Sequence, residues 1–145
     1  SHTTQLRLIP VRTKSGAVIL DDSYNASPES SLAALNLLNT LEGRKIAVLG
    51  DMKELGIYAE SEHRKVGVRA AQIVDYLFTV GELGRIMSNA AKESGFPQDR
   101  VFESLDPKPV IEALKGFLMS GDIVLIKGSH SMHLDQIVTA LEEES

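Results

Sequence analysis

Five times in 145 residues, a short continuous apolar run gives way to a segment with apolar residues at helical spacing. The runs are AVIL (17–20), KIAVLG (45–50), YLFTV (76–80), VFES (101–104) and DIVLIKG (122–128). Each is too short for a helix and, apart from VFES, too uniformly apolar for a strand with one wet face. A strand of that kind belongs in a parallel sheet covered on both sides.

The segments between the runs supply the cover. Ser27-Pro28 gives a helix cap followed by proline at the first helical position, and Leu32, Leu35 and Leu38 follow at helical spacing. Glu29 suits the positive end of that helix. Ala59–Ile73 carries Val66, Ala70 and Ile73 on one face. A third helix spans Leu83–Ser94 and is stopped by Gly95 and Pro97. A fourth has Val110, Ile111, Leu114, Phe117 and Leu118, and a fifth has Leu134, Ile137, Val138 and Leu141. LRLIPV (6–11) adds a strand ahead of the first unit, joined to it by the polar RTKSG. The expected fold is therefore α/β: a Rossmann-like three-layer sandwich on a mostly parallel six-stranded sheet, with the first strand antiparallel or at an edge. Residues 6–145 form the domain. Residues 1–5, SHTTQ, read as a tag remnant or linker.

Composition narrows the function. With no cysteine, thiolate metal sites and cysteine nucleophiles are excluded. A net charge of -5 argues against nucleic acid as a partner. No run approaches a membrane span or a secretion signal, so a cytoplasmic monomer is expected. GxxxxGK[ST], GxGxxG and GxSxG are all missing from the sequence. Such a domain can supply only part of a nucleotide site.

Ligands of open α/β sheets bind beyond the carboxyl ends of the strands. There this chain places Asp21, Asp22, Ser23, Tyr24 and Asn25; Asp51, Met52, Lys53 and Glu54; Gly81 and Glu82; and Lys127, Gly128, Ser129 and His130. Gly50, Gly81 and Gly128 would let a ligand approach the backbone. Each residue also has a plainer reading. Asp21 and Asp22 would cap a turn, and Asp51 and Glu54 would be solvated. Lys127 either neutralises neighbouring carboxylates or holds an anionic ligand, and the second is expected. His63 reads as a hydrogen-bonded histidine at the edge of the core. His130 and His133 lack a third ligand and read as a solvated loop, so no metal site is expected.

LDDSYNASPESS, IAVLGDMKELG, YAESEHRKVG, LFTVGE and LIKGSHSMHLDQIV, in that order, closely resemble the C-terminal domain of the Mur ligases, of the type that adds D-alanyl-D-alanine. The resemblance runs from about Leu6 to Leu141. It implies a bacterial enzyme of cell-wall precursor synthesis, with ATP and Mg2+ bound mainly by a central domain that this chain lacks. Its substrates would be UDP-N-acetylmuramoyl-tripeptide and D-alanyl-D-alanine, joined through an acyl phosphate, and the 145 residues alone would be inactive. Position by position, it implies that Arg7 reaches the nucleotide phosphates, that Asp22 bonds the ribose, and that Tyr24 and Asn25 lie beside the nucleotide. Asp51, Met52, Lys53, Glu54, Lys127, Gly128 and Ser129 would line the dipeptide side. Asp22→Ala would weaken ATP use without unfolding the domain. Two positions depart from the family pattern: His130 stands where arginine is usual after KGS, and Ser27 where asparagine is commoner. Two alternatives are a receiver-like phospho-acceptor domain, suggested by Asp21, Asp22, Asp51, Thr79 and Lys127, and a stand-alone nucleotide-binding module. The first is disfavoured because Asp51 follows the acidic pair by only one helix.

Overall fold

The computed structural model describes residues 6–144, so the expectation for residues 1–5 lies outside the described residues. Six strands form one sheet: β1 (Ile9–Arg12), β2 (Val18–Asp22), β3 (Lys45–Gly50), β4 (Tyr76–Val80), β5 (Val101–Ser104) and β6 (Ile123–Lys127). Five α-helices alternate with them: α1 (Pro28–Asn39), α2 (Ala59–Ile73), α3 (Gly84–Glu93), α4 (Pro107–Lys115) and α5 (Asp135–Leu141). The strand order is β1-β2-β6-β3-β4-β5, with β1 antiparallel to β2 and every other pairing parallel.

Strand alternation sorts the apolar side chains into two cores. Ile19, Ile46, Val48, Phe78, Val124 and Ile126 face one side, where Val110 and Leu114 of α4 and Ile137 and Leu141 of α5 cover them. Ala47, Leu49, Leu77 and Leu125 face the other, under α1, α2 and α3. The runs of β3, β4 and β6 are thus buried on both faces, as their composition requires, whereas β5, at the edge of the sheet, has no fully buried residue.

Three boundaries differ by two residues or more from the sequence expectation. β1 begins at Ile9 because Ile9 pairs with Asp21, so residues 6–8 run alongside the end of β2 and its following loop. Leu6 and Leu8 pack there against the α1–α3 core. β2 continues through both aspartates, placing Asp22 in the sheet. The fourth helix stops at Lys115, and Phe117 turns its ring edge-on to Tyr76 at 4.7 Å.

The strand order bears on the receiver alternative. Numbering only the parallel strands, the last lies between the first and second, whereas receiver domains run 2-1-3-4-5. The architecture is not that of a receiver.

Candidate functional site

The chain leaves β2 towards α1 on one face and leaves β6 towards α5 on the other. Adjacent parallel strands whose connections diverge open a crevice at their carboxyl ends. A cleft of about 630 Å³ lies here, lined by Arg7, Ile9, Asp21, Asp22, Ser23, Tyr24, Asn25, Ser30 and Lys127. The four nucleotide-side candidates, Arg7, Asp22, Tyr24 and Asn25, are therefore brought together. Arg7 arrives because residues 6–8 run antiparallel past the end of β2.

Asp22 and Lys127 are register partners at the ends of β2 and β6. Lys127 Nζ donates to Asp22 Oδ2 and also to the Asn25 carbonyl at 3.0 Å. Lys127 is 2% exposed. This corrects the expectation that Lys127 holds an anionic ligand: its charge is spent on Asp22 and on the turn that leads to α1. Asp21 does play the plain turn role, its Oδ1 accepting from Ser23 N–H at 3.0 Å. Tyr24 is exposed, and its ring lies 4.7 Å from that of His130, so the loops after β2 and β6 touch. His130 and His133 are both exposed. Among the described residues, no group of three or more His, Asp or Glu converges.

Of the dipeptide-side candidates, Lys127 lies instead in the first cleft; Asp51, Met52, Lys53, Glu54 and Ser129 form a second cluster, and most of them are engaged by the protein itself. Asp51 is buried and accepts from Gly84 N–H, at the start of α3, at 2.8 Å. It is therefore not a solvated carboxylate, and it compensates the positive end of α3. Met52 is buried, and its N–H donates to His63 Nε2 at 3.0 Å. Lys53 N–H donates to Ser129 Oγ at 2.9 Å, and Ser129 N–H donates to the Asp51 carbonyl at 3.1 Å. Lys53 and Glu54 are exposed, with Glu54 left-handed at φ 63°.

The glycines at these strand ends serve the protein's own packing. A Cβ on Gly128 would come within 2.6 Å of Leu134 Cδ1 and 3.2 Å of Gly50 Cα. On Gly81, at φ +106°, it would fall 2.3 Å from Asp51 Oδ1. The space expected for a ligand is filled at all three positions. His63 also departs from expectation: it is 0% exposed, inside the core rather than at its edge. Its part in the loop was missed because a fully enclosed histidine at helical spacing looks like any other core position.

The chain matches the model for the Mur ligase, glutamate ligase domain, over residues 6–130. It is 41% identical to the UDP-N-acetylmuramoyl-tripeptide–D-alanyl-D-alanine ligase of Bacillus subtilis, covering 97% of this chain and 31% of that protein. The ligase of the same name from Escherichia coli is 34% identical, over 94% of this chain and 29% of that one. Among solved structures, the MurF ligase from Thermotoga maritima in complex with ADP superposes with a TM-score of 0.75 at 27% identity, over 93% of this chain and 31% of that chain. The chain thus spans about 30% of the length of its relatives. With the family pattern covering most of its residues, and identities of this size on a matching fold, the chain belongs to the Mur ligase family, as its glutamate ligase domain.

Proposed function

We propose that the chain is the C-terminal domain of an ATP-dependent cytoplasmic ligase that joins D-alanyl-D-alanine to UDP-N-acetylmuramoyl-tripeptide in peptidoglycan precursor synthesis. The observation that carries this is the cleft at the end of β2, which gathers Arg7, Asp22, Tyr24 and Asn25 in a chain without a phosphate-binding loop. Half a nucleotide site of this kind works when another domain presents the phosphates. The ADP complex of the Thermotoga relative fits that reading.

In the reaction, the terminal carboxylate of the tripeptide takes the γ-phosphoryl group of ATP, giving an acyl phosphate and ADP. The free amine of the dipeptide adds to the acyl carbon, loses a proton, and expels phosphate as the amide forms. This chain contributes position and charge. Arg7 faces the phosphates. The Asp22 carboxylate keeps acceptor capacity beyond the Lys127 bond, enough for a ribose hydroxyl. Tyr24 offers an exposed ring beside the base. Lys53 and the amide-pinned loop at residues 51–54 border the dipeptide. Closing this edge over the acyl phosphate excludes water, which would otherwise hydrolyse it.

The residues here do not make a magnesium site. Asp22 and Asp51 are already engaged by Lys127 and Gly84, and no carboxylate cluster forms among the described residues. Magnesium is assigned to the remainder of the ligase.

Calorimetric titration of the 145-residue chain tests the partial-site reading. ATP should bind more weakly than about 1 mM, and the chain alone should form no ligated product. Micromolar ATP affinity, or ligation by this chain by itself, would overturn it.

A further inference from the structure

Met52 N–H is buried outside any helix or strand ladder, and its partner is a side chain. Because an amide N–H can only donate, His63 Nε2 must be the unprotonated nitrogen. The proton then sits on Nδ1, which donates to the Ala59 carbonyl one turn earlier in α2, at 2.6 Å. Both ring nitrogens are satisfied, and a single neutral tautomer fits. The next amide along, Lys53 N–H, is held by Ser129 Oγ, from the loop after β6. Two consecutive amides are thus pinned by different elements, immediately before the left-handed Glu54. Between them they set the direction in which Lys53 leaves the backbone. Its ammonium is 3.6 Å from Asp51 Oδ2 with the side chain 46% exposed, which makes it the outward-facing cation of this loop.

We propose that His63 is a positioning residue: its Nδ1–H tautomer holds Met52 and thereby aims Lys53 at the carboxylate of the incoming substrate. The assignment of that substrate rests on the function proposed above, while the loop geometry does not. No aliphatic residue could replace the ring, since Met52 N–H would be left buried without an acceptor. Glutamine could, because its side-chain oxygen can reach close to the Nε2 position.

Nitrogen-15 spectra and amide exchange of this chain, combined with steady-state kinetics of the complete ligase, test the proposal. The His63 ring should show protonated Nδ1 and bare Nε2. In His63→Leu the Met52 amide should exchange at least about tenfold faster, with the amides of β3 unchanged. His63→Gln should restore its protection. In the ligase, His63→Leu should raise the KM for the dipeptide about tenfold, leave that for ATP within about twofold, and add little to Lys53→Ala. An Nε2–H tautomer, or a Met52 amide equally protected in His63→Leu, would overturn the proposal. If His63→Leu does not fold, the ring spectrum of the unaltered chain and the His63→Gln variant decide it. A loosened Met52 with no change in dipeptide KM for either His63→Leu or Lys53→Ala would instead overturn this edge as the dipeptide side, and with it the aiming of Lys53.

Discussion

Lys127 and Asp22, 105 residues apart in sequence, meet as register partners at the ends of adjacent parallel strands and form a largely buried ion pair at the floor of the cleft. The pair gives Asp22 two roles. It borders the nucleotide-side cleft, and it is the counterion of a buried ammonium. Removing one member of a buried pair leaves the other charge uncompensated.

Asp22→Ala should therefore lower the stability of the chain by about 3 kcal/mol, as well as impair ATP use by the ligase. This revises the sequence-based expectation of an untouched fold. Urea denaturation checks it: the midpoint should fall for Asp22→Ala and recover in part for Asp22→Ala combined with Lys127→Met. A midpoint unchanged in the single variant would show that Lys127 finds other compensation.

Tyr24 separates binding from stability. The residue is 72% exposed, and its ring lies against that of His130. Tyr24→Ala should leave the denaturation midpoint within the equivalent of about 0.5 kcal/mol. In the complete ligase it should raise the KM for ATP about five- to tenfold, as the loss of one stacking or edge contact would. An unaltered KM would remove Tyr24 from the nucleotide side.

At the opposite end of the sheet, Arg44 clamps Asp122 through Nε at 2.9 Å and Nη2 at 2.6 Å, and Nη2 also donates to the Phe117 carbonyl at 3.0 Å. Its guanidinium carbon lies 4.3 Å from the centre of the Phe117 ring. The hydrogen bond to Asp122 raises the Arg44 pKa above the ordinary arginine value. For a cation with a raised folded-state pKa, the stabilisation is complete below the unfolded value and fades only as pH climbs past the folded one. The clamp is thus constant through the neutral range, and substitution has to reveal it. Arg44→Lys keeps the charge but loses the fork and the stacking, and should cost about 1–2 kcal/mol. Arg44→Ala should cost more, because Asp122 stays buried. Thermal unfolding of the two variants should rank them in that order, and equal melting points would deny the fork its role.

Gly67, in the middle of α2, lies where α2 and α3 touch backbone to backbone. A Cβ there would meet Met87 O at 2.2 Å and Met87 Cα at 2.7 Å. Alanine is the better helix former by about 1 kcal/mol, yet the clash is with main chain that cannot rotate away. Gly67→Ala should destabilise by about 3 kcal/mol. Gly116→Ala, where no atom lies within 4 Å of the added carbon, is the control and should be close to neutral. Denaturation midpoints of the two variants check the contrast, and a neutral Gly67→Ala would mean that α3 can move aside.

Local signals in the chain were read correctly where the physics is local. Ser27 and Ser30 form a reciprocal capping box, with bonds of 3.1 and 3.0 Å, at the start of α1. Gly95 ends α3 with φ +104°. The polar strand ends do gather at one edge, and Arg7, Asp22, Tyr24 and Asn25 line one cleft. What could not be read was which of these groups were already engaged. Lys127, Asp51 and Ser129 look like free ligands in a sequence, but each is committed to a partner that only folding supplies. The Arg44–Asp122 clamp was not foreseen, since neither residue stands in a motif.

The sequence by itself determined the five βα units, the double-sided burial of the central strands β3, β4 and β6, and the face each helix presents. Those properties depend on the periodicity of apolar residues over a few turns or a few strand positions. Only the tertiary structure decided that β6 inserts between β2 and β3. That one non-local choice places Lys127 beside Asp22, Gly128 against Gly50, and Ser129 against the loop that His63 also bonds. Register between strands a hundred residues apart is fixed by the summed packing of two cores. No local pattern carries it, and so the chemistry of the edge had to be seen in the fold.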